Sequence, residues 1–228
     1  LDDLIGKGQC LADAVVAHSP TYQAEPHCHY VPHPLYDVSP GSPSQGDSYI
    51  VFGRIQPYKN IDALIKAWST SRELVVVGPC DDDSYLDELK TIASGKSVRF
   101  DVGFKSEAEA AACIAAAAGV IIVNDPVTVI VSGTLFFALS CGTRVFVLNT
   151  PFHDWLVTTP LKDAVQSFES IPSLVAGILQ DDRNISMDSS EIRAEAEMLF
   201  GDDQVARAWQ AVFDSLAVHA TTGSDGRH

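Results

Sequence analysis

The feature that most constrains this chain is the apolar run Gly119-Val120-Ile121-Ile122-Val123, which ends at Asn124. A strand with one face in water would alternate apolar and polar residues. This run has no polar residue on either face, so it predicts a strand that is buried on both sides of a parallel sheet. Parallel strands are joined by long crossovers, usually helices, and the run therefore indicates an α/β fold.

The stretch that follows this strand is typical of a site where an α/β sheet binds anions. A loop over 125–131 leads to Ser132, a favoured helix N-cap, and Gly133 would allow a ligand to approach the first exposed amides. The helix beyond is apolar nearly all round, which predicts that it is enclosed, and Gly142 suits the position just after its end. A buried helix that binds nothing is the alternative, because fold does not imply function.

Strand and helix patterns alternate along most of the chain. We predict strands at 49–53, 74–79, 98–102, 119–124, 144–148 and 164–168. Helices are predicted after Asn60, which is expected to cap the first of them, at 85–93, at 107–117 behind a capping box of Ser106 and Glu109, at 133–141, near 173–179 and 190–200, and at the C-terminal end. This order predicts a doubly wound, mostly parallel six-stranded sheet of the Rossmann type, with its ligand at the carboxyl ends of the strands.

The N-terminal part has a different character. Residues 1–12 are predicted as a helix and 14–19 as a strand with no sheet of its own nearby. Residues 20–48 are rich in Pro, Ser, Gly and His, which favours extended or turn backbone. The predicted organisation is the end of another domain at 1–19, a linker at 20–48, the ligand-binding domain at 49–219 and a disordered tail at 220–228.

Composition excludes several classes of partner. A formal net charge of −15 argues against nucleic acid and against an anionic membrane surface. No apolar run is long enough to span a membrane, and residues 1–18 lack the features of a signal peptide. The five cysteines contain no Cys-x-x-Cys pair, so we expect reduced thiols in a cytoplasmic protein. The first residue is Leu1 rather than Met, from which we expect a fragment or a processed product.

Two cations flank the first predicted strand-to-helix connection of the domain. Arg54 follows the strand and Lys59 precedes the helix, so both should face the same sheet edge as Ser132. Two cations beside a helix N-terminus suit a diphosphate, since Arg offers paired donors and Lys a point charge. The alternative is that both are ordinary solvated loop cations.

Four segments of this domain occur in a familiar order. They are Gly53-Arg54 through Tyr58-Lys59-Asn60-Ile61-Asp62, the strand end Val77-Gly78-Pro79, the stretch 98–103, and Ser132-Gly133 through Ala138-Leu139-Ser140-Cys141-Gly142-Thr143-Arg144-Val145. Together they resemble the C-terminal, nucleotide-sugar-binding domain of group 1, retaining GT-B glycosyltransferases. The preceding Val31-Pro32-His33-Pro34-Leu35-Tyr36 resembles the interdomain segment of one branch of that family.

The resemblance implies roles for individual residues. It assigns the diphosphate of a UDP- or GDP-linked sugar to Arg54 and Lys59, assisted by the amides of Ser132, Gly133 and Thr134. No metal or other cofactor is implied. Catalytic groups would lie on a preceding acceptor domain, of which 1–19 would be the remnant, and no catalytic residue can be assigned in this chain. The last helix would cross back to that domain, so its apolar stripe is expected to be partly uncovered.

The resemblance also places the nucleobase, and it shows one departure from the family pattern. The turn at Gly103 would hold the base, chiefly by backbone, with Phe104 and Lys105 as its candidate residues. The family has paired glutamates that hold the transferred sugar and the ribose. Val129 and Phe137 occupy those positions here, and neither side chain can accept a hydrogen bond from a hydroxyl.

Three other groups of residues have a functional interpretation, but a purely structural one is favoured for each. His27-Cys28-His29 with His33 could bind zinc, but no second ligand pair follows at the usual spacing, so a His-rich loop is favoured. Asp81-Asp82-Asp83 is interpreted as a solvated run before a helix rather than a cation site. His153-Asp154-Trp155, with Thr158 and Thr159, could touch a sugar but is interpreted as a surface helix turn.

The function predicted from the sequence is transfer of a hexose from a nucleoside-diphosphate sugar to a glycan or lipid-linked acceptor, as in polysaccharide biosynthesis. We expect a cytoplasmic protein, with peripheral membrane association open for the full-length enzyme. A non-catalytic nucleotide-binding or interaction module is the first alternative, because the glutamates and the acceptor domain are missing. A sugar-nucleotide epimerase of the same fold is the second.

Overall fold

A computed structural model describes residues 12–22, 28–38, 46–124, 131–180 and 187–222 of the 228-residue chain. It contains eight strands: β1 (Val15–Ala17), β2 (Cys28–Tyr30), β3 (Tyr49–Phe52), β4 (Leu74–Gly78), β5 (Val98–Val102), β6 (Gly119–Ile122), β7 (Val145–Leu148) and β8 (Val165–Phe168). The last six form one sheet, and they match the six strands predicted from apolar runs. β4 and β6 are buried along their whole length, as expected for strands covered on both faces.

The six-stranded sheet has the order β5-β4-β3-β6-β7-β8, and every neighbouring pair is parallel. The chain first builds outward from β3 through β4 to β5, then returns to the other side of β3 with β6 and continues to β8. β3 and β6 are therefore the two strands at which the direction of winding reverses. In open α/β sheets the crevice at the carboxyl ends of such a pair is the usual ligand site. The predicted Rossmann-like α/β class is confirmed.

Eight α-helices connect and flank the strands in the described residues. They are α1 (Ile61–Ala67), α2 (Asp83–Ile92), α3 (Glu107–Ala115), α4 (Gly133–Ser140), α5 (Pro151–Leu156), α6 (Ile171–Gln180), α7 (Ser189–Phe200) and α8 (Asp202–Thr222). The capping box at α3 is present, with Ser106 and Glu109 each satisfying the other's backbone amide. Gly142 follows α4 at a φ of 70°, the left-handed conformation that ends a helix readily at glycine.

The core lies on both faces of the six-stranded sheet. Trp68, Tyr49 and Phe146 are among its largest fully buried side chains, and α4 is enclosed from Leu135 to Ser140. The predicted enclosure of α4 is thus confirmed. A helix buried on all sides cannot shift easily, because close packing on every face leaves it no room. Its N-terminus is therefore held firmly beside the sheet edge.

The chain divides into two compact units, one of residues 35–196 and a smaller one of residues 1–34 with 197–228. In the smaller unit β1 pairs in parallel with β2. The expectation that strand 14–19 has no sheet nearby was wrong, because the Pro-rich segment returns the chain to form a short partner strand. On α8, Trp209 and Phe213 stack at 5.8 Å and are 38% and 57% exposed, so the apolar stripe is partly uncovered as expected.

Some expectations lie outside the described residues, among them the helix at 1–12, except for Ala12, and the Val129 position. Of the tail, residues 220–222 belong to α8 and residues 223–228 are not described. The predicted boundaries at 19, 48 and 219 stay predictions. None of the described helices is both long enough and apolar enough to cross a membrane.

Candidate functional site

A cavity of about 370 Å³ opens at the carboxyl ends of β3 and β6, where the sheet reverses direction. Arg54, Lys59, Ser132, Gly133 and Thr134, the five residues assigned to the diphosphate from the sequence, all line it. The remaining lining residues are Tyr36, Phe52, Gly53, Tyr58, Asn124, Val131 and Phe137. The described lining thus contains two cations and no carboxylate, in a chain whose net charge is −15.

Lys59 reaches the cavity because the chain folds back directly after β3. Gly53 has a φ of 101°, which glycine adopts without strain, and Pro57 opens a short 3₁₀ helix that ends at Lys59. This turn directs the Lys59 ammonium back to the strand end, where it donates a hydrogen bond of 2.9 Å to the carbonyl of Phe52. Asn60 completes the turn in a left-handed conformation, and its side-chain amide donates to the carbonyl of Val123 at 3.0 Å.

The prediction that the Asn60 side chain caps the helix was wrong, although the position was right. Asn60 does occupy the N-cap of α1, but its side chain makes no capping hydrogen bond. The side chain instead ties the loop after β3 to the end of β6. The sequence pattern identified the position, whereas the use of its amide depends on a strand that lies far away along the chain.

Burial gives Lys59 an unusual electrostatic state. Only 8% of the residue is exposed, and this desolvation lowers the pKa of Lys59 from 10.5 to about 8. A buried ammonium is costly unless a counter-charge approaches it. In the part of the chain that the structure describes, no carboxylate forms an ion pair with Lys59, so an anion that enters the cavity would supply the counter-charge.

Anion binding at this cavity should therefore weaken as pH rises through about 8. If the charged form of Lys59 holds the anion, the association constant for inorganic pyrophosphate should be about tenfold lower at pH 9 than at pH 7, since most of the lysine is neutral at the higher pH. Calorimetric titrations across pH 6.5–9.5 would measure this change. A Lys59→Met variant should lose the dependence. An equally steep decline in the variant would contradict the assignment to Lys59.

The N-terminus of α4 forms the opposite wall. Ser132 occupies the N-cap but accepts no capping hydrogen bond, contrary to the sequence-based expectation of an ordinary serine cap. The first intrahelical bond runs from the amide of Leu135 to the carbonyl of Ser132 at 3.0 Å. The amides of Gly133 and Thr134 precede that bond and belong to the unpaired first turn, where the helix dipole favours an anion.

The two walls meet closely. A Cβ built on Gly53 would lie 2.7 Å from the Lys59 ammonium and 3.8 Å from the hydroxyl oxygen of Thr134. The ammonium and the start of α4 are thus near the same point, although their segments are far apart in sequence. The two segments therefore converge at one sheet edge, as predicted. Binding of a diphosphate there remains a prediction.

Arg54 stands at the rim of this cavity. Its guanidinium forms an ion pair with Asp81, and the two side chains are 51% and 68% exposed. An exposed pair of this kind contributes little to stability, so Arg54 can exchange Asp81 for another anion at small cost. Asp81 therefore has a role that the interpretation of 81–83 as a simple solvated run missed. Asp82 caps α2 by accepting a hydrogen bond from the amide of Tyr85.

An aromatic cluster forms the rest of the wall beside α4. The ring of Phe137 stacks on Phe52 at 6.1 Å and meets the ring of Tyr36 edge-on at 4.9 Å. Phe137, one of the two positions where the resembled family has glutamate, is 8% exposed and faces the cavity through this cluster. Reasoning from the sequence missed Tyr36 as a lining residue. The one feature of the sequence that could have identified Tyr36 is that it belongs to the segment 31–36, which was interpreted only as a connection between domains.

The residues assigned to the nucleobase lie apart from the cavity lining. Phe104 is 85% exposed, and Lys105 forms an ion pair of 2.7 Å with Asp101. The turn is attached to the sheet, since the amide of Gly103 donates to the carbonyl of Gly78 at 3.1 Å. These contacts neither support nor oppose base binding, and the assignment of Phe104 and Lys105 stays a prediction.

His153 was wrongly interpreted as part of a surface helix turn. It is 7% exposed, its backbone amide bonds to Thr150, and its ring Nδ1 lies 2.7 Å from the carbonyl of Leu148. Burial lowers the pKa of His153 below 6.5, so it is neutral at neutral pH, and Nδ1–H donates to that carbonyl. Thr158 and Thr159 donate to local helix carbonyls. In the described part of the chain, no three His, Cys, Asp or Glu residues come together in a way that could hold a metal ion.

No family model matches this chain, and no curated protein does. Solved structures share its fold. Sucrose-phosphate synthase from Thermosynechococcus elongatus superimposes with a TM-score of 0.70 at 16% identity, over 91% of this chain and 59% of that one. Anabaena HepE in complex with UDP-glucose gives 0.66 at 18% identity, over 91% and 64%. AviGT4, a glycosyltransferase involved in avilamycin A biosynthesis, gives 0.62 at 20% identity, over 89% and 63%.

These comparisons establish the fold. This chain spans less than two thirds of the length of each of the three structures. The cavity at the sheet reversal, its two cations and the open helix start are properties of the chain itself. They describe a site suited to an anion that carries more than one charge.

Proposed function

We propose that this chain binds a nucleoside-diphosphate sugar and forms the donor-binding part of a GT-B glycosyltransferase. The observation that carries the proposal is the cavity between β3 and β6, where Lys59, Arg54 and the first amides of α4 converge. A diphosphate matches this set, because its several oxygens can use a buried point charge, a guanidinium and backbone donors together.

Proteins of the same fold support this ligand class. HepE has been solved in complex with UDP-glucose and also with UDP and glucose. TarM, with a TM-score of 0.70 to this chain, has been solved with UDP. Because this chain covers only part of those proteins, we propose transfer as an activity that needs a further, acceptor-binding domain. The hexose and a glycan or lipid-linked acceptor belong to the same proposal.

The proposed contribution of this chain to transfer is stabilisation of the leaving group. When the bond between sugar and diphosphate breaks, negative charge grows on the departing phosphate. Once the donor is bound, the Lys59 ammonium, the Arg54 guanidinium and the α4 amides would offset that charge without further movement during the reaction. Arg54 would leave Asp81 as the anion arrives, and this exchange lies at the exposed rim. No metal ion is required by this arrangement.

Phe137 favours a second candidate function, a nucleotide-binding module without transferase activity. The ring faces the cavity at a position where the resembled family carries a ribose-binding glutamate, and it cannot accept a hydroxyl hydrogen bond. Release of glucose from UDP-glucose, or its transfer to an acceptor, would exclude this candidate. Binding of UDP without either reaction, even with a separate acceptor domain supplied, would favour it.

Titration with UDP and GDP tests the proposed ligand directly. We expect one of the two nucleotides to bind the native chain and an Arg54→Ala/Lys59→Ala double variant to show no measurable binding. A Lys90→Ala/Arg99→Ala variant is the matched control, since it removes the same charge from two surface ion pairs outside the cavity. Absence of binding by the native chain would overturn the proposal. So would equal affinity in the two double variants.

A further inference from the structure

We propose that Tyr36 is a further ligand-binding residue of this cavity and that its phenol donates a hydrogen bond to the anion at the start of α4. This inference rests on the proposed function and deepens it. It adds a neutral donor from the segment that precedes the domain to the two cations and the backbone amides. Nothing in the sequence reasoning assigned this tyrosine to the ligand.

The position of the phenol is the first observation. A Cβ built on Gly133, the first residue of α4, would lie 3.2 Å from the hydroxyl oxygen of Tyr36. The hydroxyl is therefore next to the residue whose amide begins the helix. On the other wall, the Lys59 ammonium lies close to Gly53, within reach of Thr134. An anion held between the ammonium and these amides would have the phenol at its side.

The second observation is that Tyr36 is held in place by the domain. Its backbone amide donates to the hydroxyl of Ser140 on α4 at 2.9 Å, and that hydroxyl donates in turn to the carbonyl of Phe136 at 2.7 Å. Its ring rests edge-on against Phe137 at 4.9 Å. Backbone and ring are both fixed to the helix that offers the amides, so the phenol moves with the anion site. A donor positioned in advance loses little entropy when the ligand binds.

A third observation concerns the hydroxyl of Ser132, the N-cap residue of α4. Ser132 lines the cavity and is 8% exposed, and its hydroxyl makes no hydrogen bond to any described residue. Because Ser132 lines the cavity, an oxygen of a bound ligand would be able to accept a hydrogen bond from this hydroxyl. The phenol of Tyr36 and the hydroxyl of Ser132 thus lie at the same helix end, which α4 keeps rigid.

A purely structural role for Tyr36 makes a different prediction. If only the ring matters, for its contact with Phe137, then phenylalanine can replace tyrosine without effect on ligand affinity. If the hydroxyl touches the anion, Tyr36→Phe weakens binding while leaving the packing intact. The effect should also be similar for inorganic pyrophosphate and UDP, because the proposed contact is with phosphate oxygen rather than with the base or sugar.

The experiment is calorimetric titration of the native chain, Tyr36→Phe and Tyr85→Phe with pyrophosphate and with UDP. Tyr85 is the control, since its buried hydroxyl has no partner among the described residues and lies outside the cavity. We expect Tyr36→Phe to bind both ligands about five- to tenfold more weakly, and Tyr85→Phe to bind like the native chain.

The outcomes separate this inference from the proposed function. Affinity of Tyr36→Phe within twofold of the native chain for both ligands would overturn the inference and leave the proposed function standing. If the native chain binds pyrophosphate but not UDP, the nucleotide-sugar proposal fails, and the pyrophosphate titrations still decide the role of Tyr36. A loss for UDP with none for pyrophosphate would also overturn it, because the contact would then not be with phosphate.

Discussion

Replacing Lys59 with methionine should lower the affinity for UDP by at least about thirtyfold without destabilising the fold. The ammonium is buried and lies near Gly53 and the start of α4, where we propose that the diphosphate binds. Loss of a charge-assisted contact in such a place costs about 2 kcal/mol or more of binding free energy. Calorimetric titration with UDP measures the change. Methionine keeps the length and most of the volume of the lysine stem.

The free energy of unfolding should stay level or rise in the same variant. Burial lowers the pKa of Lys59 to about 8, so the folded chain releases this proton above pH 8, whereas the unfolded chain keeps it until near pH 10.5. For this group, stability increases with pH between those two values, because there the unfolded state binds more protons. Below pH 8 the native lysine is therefore a destabilising residue. Methionine removes that cost, at the loss of one hydrogen bond to the carbonyl of Phe52.

The control for this substitution is Lys66→Met on α1. Lys66 is exposed and pairs with Asp62 at 2.9 Å, so its loss should change neither the affinity nor the unfolding free energy by much. Urea unfolding at pH 7 measures the stability of both variants. A Lys59→Met chain that is clearly less stable than the native chain would mean that the lysine serves the fold. Unchanged UDP affinity would remove it from the site.

Replacing Gly78 with alanine should destabilise the protein by about 3 kcal/mol or more, which for a unit of this size is about 10 °C in melting temperature. Gly78 ends β4 at a φ of 139°, and a Cβ there would lie 2.2 Å from the carbonyl oxygen of Gly53. That neighbour is backbone and cannot rotate away. The ends of β3 and β4 would have to separate, and the turn that carries Lys59 would move with them. UDP affinity should therefore fall as well.

Gly103→Ala separates the two causes of this effect. Gly103 has a similar positive φ, of 144°, but a Cβ there meets nothing within 4 Å. Its substitution should cost only the conformational strain, about 1–2 kcal/mol. Thermal melts of both variants give the comparison. Equal destabilisation by the two alanines would show that backbone strain, and not the close approach of β3 to β4, explains the requirement at Gly78.

Several features of the fold could be predicted from local pattern because their cause is local. The capping box of Ser106 and Glu109 joins residues three apart, and the apolar run at 119–123 specifies a strand buried on both faces wherever it lies in a sheet. The left-handed Gly142 after α4 follows from the end of one apolar helix. All six strands of the large sheet were predicted from local patterns of this kind.

Features that depend on contacts between distant segments were missed or misjudged. The Asn60 side chain bonds to the loop after β6 rather than to its own helix, and the His153 ring bonds to a carbonyl at the end of β7 within the interior. β1 finds its partner across a Pro-rich segment whose composition indicates only extended chain. In each case a polar group or strand edge takes the partner that tertiary packing brings near, and no local pattern specifies which one that is.

For this protein the sequence alone determined the alternation of strands and helices, the parallel class of the sheet and the candidate residues Arg54, Lys59 and Ser132–Thr134. Only the tertiary structure decided that the Lys59 ammonium lies beside Thr134 and that the phenol of Tyr36 lies beside Gly133. The physical reason is that periodicity records which face of an element is buried, whereas the order β5-β4-β3-β6-β7-β8 determines which elements meet. The cavity exists because β3 and β6 are neighbours, and that pairing is a property of the whole packed chain.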